Sequence, residues 1–153
     1  MQNEKLKNLL SMTLTTNNPC LILIQGLPGS GKTTLAKRIS KEFNIPYFEA
    51  DQYFEDKDGN YNFNPDQLYQ AHLRCKINCG RSLRYDKQSC IVSNTSLSDK
   101  ELKDYYNIAK QNSAKIFLIR LESNYGSIHN VPQETFEKMK RKVCSYTPDF
   151  IIT

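Results

Sequence analysis

The chain has 153 residues, 39% apolar and 24% charged, with a formal net charge of +5. These values fit one soluble globular domain, and the apolar runs are too short to span a membrane. The first ten residues lack the apolar core of a signal peptide, and the five cysteines are scattered. Reduced thiols and a cytoplasmic location are therefore expected.

Residues 1–18 read as a polar N-terminal extension with one short amphipathic turn at Leu6, Leu9 and Leu10; it either docks as a helix or stays loose. Residues 19–153 form the predicted domain. "CLILIQ" is a short apolar run bounded by glycine, the pattern of a buried parallel strand. "KTTLAKRISKEF" carries apolar residues at 35, 36, 39 and 43, a helical spacing. "IPYFEA" reads as a second strand and "DKDGN" as a turn. In "NPDQLYQAHLRCKINCG", Asn64 is the predicted N-cap, Pro65 the first helical residue, and Gly80 the terminator. "SCIVSN" is a third strand. Ser98 and Glu101 have capping-box spacing ahead of a helix over "SDKELKDYYNIAK". "KIFLIRLE" is a fourth strand, "VPQETFEKMKRKV" a helix, and "DFIIT" a fifth strand. Alternation of this kind predicts a five-stranded parallel sheet with helices on both faces, and chemistry beyond the carboxyl ends of its strands.

Gly26, Gly31, Lys32 and Thr33 satisfy G-x-x-x-x-G-K-[ST], the P-loop of nucleoside triphosphatases. A chance match in a chain of this size is on the order of one in two hundred. The expected ATP cradle runs through Gly26, Leu27, Pro28, Gly29, Ser30, Gly31, Lys32, Thr33 and Thr34. Its glycines allow close backbone approach, and the amides from about Gly29 to Thr34 face the anion at a helix N-terminus. Lys32 adds a charge beside the β- and γ-phosphates, and the Thr33 hydroxyl is a ligand for Mg²⁺.

Asp51 follows the second strand in "YFEADQYF". With the P-loop on strand one, strand two is expected beside it, and a carboxylate at the end of a neighbouring strand lies close to the γ-phosphate, where it accepts a proton from an attacking hydroxyl or helps hold Mg²⁺ through water. A solvated loop aspartate or helix N-cap is the bland alternative. Asp56 and Asp58 do not open an EF-hand, because the sixth and twelfth positions are Tyr61 and Gln67 rather than glycine and glutamate. The third strand ends with Ser93, Asn94 and Thr95, neutral groups suited to orienting a substrate oxygen or to forming a plain polar turn.

His72, Cys75 and Cys79 share a helical face. Core packing is the favoured reading over a zinc site, since no fourth ligand has matching spacing. Tyr47, Tyr53, Phe54, Tyr61, Phe63 and Tyr69 cluster around the second strand. They either form the local core of a long loop or stack bases of a single strand. "KMKRK" (Lys138 to Lys142) suits a helix C-terminus, with a nucleic-acid patch as the alternative.

The blocks "GLPGSGKTTLA", "ADQYF", "AHLRC", "VSNTSLS" and "YGSIHNVPQETFEKMK", in this order over roughly Leu21 to Val143, resemble the kinase domain of bacteriophage polynucleotide kinase and its small relatives. The resemblance implies ATP- and Mg²⁺-dependent phosphorylation of a 5′-hydroxyl on single-stranded RNA or DNA. It puts Asp51 at the general base and Lys32 and Thr33 at the phosphate and metal positions. It matches Asn94 and Thr95 to the block after strand three and leaves His72 a place in the acceptor cleft. The chain departs from the family where Phe54 stands at the offset of an arginine and where "SNYGSIHNVP", which includes His129, replaces an arginine-rich lid. Arg120 is the first candidate to replace that charge, followed by Arg81 and Arg84. Two alternatives stay open beside the polynucleotide kinase: a kinase for a nucleoside or small metabolite (or a slow ATPase), and a nucleotide-dependent binding module with little turnover.

Overall fold

The structure, a computed structural model, describes residues 2–27, 29–94, 98–122 and 146–152. Five strands, β1 (Cys20–Gly26), β2 (Tyr47–Phe48), β3 (Cys90–Ser93), β4 (Lys115–Leu121) and β5 (Phe150–Ile152), make one sheet in the order β2-β3-β1-β4-β5. Every pairing is parallel. Among the described residues the α-helices are α1 (Gln2–Leu14), α2 (Lys32–Phe43), α3 (Leu68–Arg84) and α4 (Asp99–Gln111). Among the described residues no helix is long and apolar enough to cross a membrane.

Side chains of β1 alternate between two layers, as the pleat requires. Cys20, Ile22 and Ile24 pack against Leu35, Ala36 and Ile39 of α2. Leu21 and Leu23 pack against Cys75, Cys79 and Leu83 of α3 and Leu102 and Tyr105 of α4. Every residue of β1 is buried, so the strand reads as one continuous apolar run. Each such Leu or Ile contributes about 1.5–3 kcal/mol by leaving water. Cys75 and Cys79 serve as small core residues, and the Cys90 thiol meets that of Cys79 at 3.8 Å.

The N-terminal extension docks as a helix. Leu6 and Leu10 of α1 are 3% and 1% exposed and join the cluster of Ile22 and Ile24. The exposed Lys7–Glu42 pair at 2.8 Å adds little to that contact. On the opposite face, Lys76 of α3 bridges Asp104 at 2.8 Å and Glu101 at 3.2 Å on α4.

The caps at Asn64 and Ser98 are present: their side chains accept from the amides of Asp66 and Glu101. Asn64 caps a short 3₁₀ turn, Pro65–Gln67, that leads into α3. Three expectations are corrected. The second strand is two residues long, because the chain turns at Ala50 into a 3₁₀ turn over Ala50–Phe54. It does not adjoin β1; β3 lies between them. Gly80 does not end α3, which runs to Arg84; a Cβ on Gly80 would sit 3.9 Å from Ile108, and packing of α3 on α4 outweighs the roughly 1 kcal/mol propensity cost of a mid-helix glycine. The helix expected over "VPQETFEKMKRKV", the basic run at 138–142 and His129 in its lid-like loop lie outside the described residues.

Candidate active site

The turn from β1 into α2 is built by its glycines. A Cβ on Gly26 would collide with the Ser30 hydroxyl and lie 3.2 Å from both Leu121 Cβ and Lys32 Cγ. Gly29 and Gly31 have φ of 79° and 93°, where side chains with a Cβ are strained. The turn closes when the Ser30 amide donates to Leu27 O at 3.0 Å. That uses one of the amides expected to face an anion. Gly31 then occupies the N-cap of α2 with no side-chain cap. The first amides of the helix, at Lys32, Thr33 and Thr34, are left at its positive end. The Ser30 hydroxyl is buried without a partner. Pro28 lies outside the described residues.

Lys32 is 7% exposed and donates to Leu27 O at 2.9 Å. Burial pulls its pKa down to about 8, against the opposing pull of Glu49 and, more weakly, Asp51. A buried ammonium at an uncapped helix N-terminus, beside a cradle with no room for a Cβ, fits a phosphate chain.

Across a cleft of about 540 Å³ from this turn stand Glu49, Asp51, Leu68, His72, Ser93 and Asn94, with Thr33 and Thr34 on the cradle side. The end of β3 holds this second wall in place. Asn94 is 3% exposed; its Oδ1 accepts the Ala50 amide at 2.7 Å, and its Nδ2 donates to Cys75 Sγ at 3.6 Å and Tyr105 Oη at 3.4 Å. Ser93 donates to Glu49 Oε1 at 2.7 Å, and Gln52 Oε1 accepts the Glu49 amide at 3.1 Å. Asp51 is exposed to the cleft and accepts from Tyr61 Oη at 3.4 Å. Partial desolvation, then the Asp51 charge, push the Tyr61 phenol up, which keeps it a donor.

Asp51, Lys32, Thr33, Thr34, Gly29, Gly31, His72 and Asn94 therefore meet at one cleft. Asn94 does so with its amide committed to protein partners, so it shapes the wall rather than facing a ligand. His72 brings a buried, unpartnered Nδ1. Thr95 lies outside the described residues. Arg120 does not line the cleft: it donates from Nε and Nη2 to Gln25 Oε1 at 3.3 and 3.2 Å, and from Nη2 to Tyr146 O at 2.6 Å. Its place in β4 opposite Gln25 commits the guanidinium to the strand interior. Arg84 stands with Asn18 and Asn112 near the amino ends of β1 and β4, and Arg81 lies one turn before it. Among the described residues, no three His, Cys, Asp or Glu side chains form a metal cage.

Sequence reasoning missed Glu49, the contact of Ser93 to it, and the contact of Tyr61 to Asp51. Glu49 carried a readable signal, being two residues before Asp51. Tyr61 carried none beyond its place in the aromatic cluster.

The fold and site define a P-loop, kinase-like α/β domain. The chain belongs to the AAA domain family AAA_33, which matches residues 21–144. It is similar to NEDD4-binding protein 2 of Homo sapiens, 29% identical over 97 residues, which are 63% of this chain and 5% of that protein. The chain thus spans a small part of that curated relative. Two solved structures share its fold. The Mycobacterium tuberculosis APS kinase CysC in complex with AMPPNP and APS has a TM-score of 0.60 at 14% identity, covering 90% of each chain. A chain of the Pnkp1/Rnl/Hen1 RNA repair complex has a TM-score of 0.58 at 22% identity, covering 90% of this chain and 41% of that one.

Proposed function

We propose that this protein is an ATP-dependent kinase that transfers the γ-phosphate to a 5′-hydroxyl at the end of RNA or DNA. The observation that carries the reading is the opposition of Lys32 and Asp51 across one cleft, with an uncapped helix N-terminus on the lysine side. The family membership supports it, and the polynucleotide kinase resemblance of the strand-end blocks supplies the acceptor.

Asp51 accepts the proton of the attacking hydroxyl. The freed oxygen bonds to the γ-phosphorus as the bond from that phosphorus to the β,γ-bridging oxygen breaks, and ADP leaves. Lys32 and the amides at the start of α2 balance the charge that accumulates on the transferring group. Thr33 and Asp51 are the residues that would hold Mg²⁺, which would supply positive charge against that of the phosphate chain. Asn94 and Ser93 hold the turn that carries Asp51, so the base is aimed before the acceptor arrives.

A nucleoside or small metabolite as acceptor is the second reading. It is favoured by the charge of the acceptor wall, whose described residues include Glu49 and Asp51 and no lysine or arginine, Lys32 standing on the cradle side. Transfer of labelled γ-phosphate decides between them. The proposal predicts labelled 5′-hydroxyl oligonucleotides and unlabelled small hydroxyl compounds. Label only on small compounds supports the second reading. Tight ATP binding without transfer to any acceptor favours a binding module.

A further inference from the structure

The segment between the Asp51 turn and α3 is ordered by its own contacts. Glu55 and Tyr61 pair as an antiparallel bridge, the Asn62 amide donates to Phe54 O at 2.9 Å, and the Asp56 amide donates to Asn60 O at 2.9 Å. The Asp56 carboxylate closes the tip by accepting from the amides of Asp58 and Asn60, each at 2.9 Å. This small hairpin projects three rings together. Phe54 is 5% exposed and fills the local core with Ala50 and Ala71. It meets Tyr61 and Phe63 edge-on, at 6.2 and 5.1 Å between centroids. Tyr61 and Phe63 lie nearly parallel to each other, at 12° and 6.5 Å, and are 52% and 51% exposed. The core role thus belongs to Phe54. The other two rings are fixed in orientation and uncovered, and the Tyr61 hydroxyl touches Asp51.

We propose that Tyr61 and Phe63 form a stacking platform for the terminal nucleobase of the acceptor. This rests on the reading of the protein as a 5′-hydroxyl kinase and narrows it. Base and 5′-oxygen are separated by one sugar ring, and the platform is separated from Asp51 by one phenol, so a base stacked there presents its own 5′-oxygen to the carboxylate. Charge decides how far the strand follows. Between residues 49 and 67 stand Glu49, Asp51, Glu55, Asp56, Asp58 and Asp66 against Lys57 alone. A phosphodiester chain laid along this hairpin would be repelled. A terminal nucleoside with a free 5′-hydroxyl is uncharged on that side, so the platform takes that unit alone and the first phosphate leads away from the hairpin. Acceptors are selected by their terminal base, with little help from backbone charge at this wall.

The test compares two oligonucleotides that differ only at the 5′ end, one with a base and one abasic, in γ-phosphate transfer by the full chain. Stacking predicts an acceptor KM on the order of ten-fold higher for the abasic end, an unchanged ATP KM, and loss of the difference in Phe63→Leu. Tyr61→Phe keeps the ring and keeps the discrimination. If wild-type protein transfers phosphate equally well to both ends, the platform is overturned while the kinase reading stands. If neither end is phosphorylated, both fall. The wild-type comparison needs no variant, so a misfolded Phe63→Leu does not blur the answer.

Discussion

The side chain of Asn94 accepts the backbone amide of Ala50 at 2.7 Å, joining the end of β3 to the residue immediately before Asp51. Because β3 separates β2 from β1, this contact brings the carboxylate of an outer strand to the cleft of the central one. Asn94→Ala leaves the Ala50 amide and the Tyr105 hydroxyl short of a partner. The expected cost is about 1–3 kcal/mol of stability, and kcat falls on the order of a hundred-fold from a misplaced base. ATP affinity, measured by calorimetry, stays within about twofold, since the cradle of α2 is untouched.

Lys32 is predicted to set the pH dependence of nucleotide binding. Its pKa in the free chain is near 8 because burial outweighs the nearby carboxylates. A bound phosphate chain favours the ammonium and raises that pKa. Binding therefore takes up a proton above pH 8, and ATP affinity falls by up to about ten-fold per pH unit as pH rises beyond that point. Below it the lysine is already charged and affinity is flat. Titrations between pH 6 and 10 check this, and in Lys32→Arg the bend at pH 8 disappears because arginine stays protonated.

Gly26 has no room for a side chain in the cradle. In Gly26→Ala the new Cβ displaces the Ser30 hydroxyl and presses on Leu121 and Lys32. Overpacking of this kind costs about 1–3 kcal/mol. Nucleotide affinity drops as well, because the shift moves Lys32 itself; thermal unfolding with and without ATP separates the two effects.

The N-terminal helix is predicted to be part of the cooperative unit. Leu10 is 1% exposed in the same cluster as Ile22 and Ile24. Leu10→Ala should cost about 2–5 kcal/mol, seen as a lower denaturant midpoint in a single transition. A loosely attached arm would leave the midpoint unchanged.

Features set by neighbouring residues were legible in the sequence. The glycines and lysine of the cradle, the caps at Asn64 and Ser98, and the alternation of strands and helices each depend on a few adjacent positions. Features made by chain closure were not. The Asn94–Ala50 contact spans 44 residues and the Arg120–Gln25 contact 95. Nothing local to Asn94 marks its amide as an internal clamp, and nothing local to Arg120 shows that Gln25 lies opposite it in the next strand. Tyr61 joins the site for the same reason: the hairpin after the 3₁₀ turn pairs back on Glu55 and brings the phenol to Asp51.

The most direct measurement is γ-phosphate transfer and ATP affinity, side by side, in wild type and Asp51→Asn. The asparagine keeps the size of the side chain and removes the proposed base. The account predicts a fall in kcat of about 10²–10⁴ with ATP affinity within about twofold. An Asp51→Asn protein that transfers phosphate at the wild-type rate would contradict it.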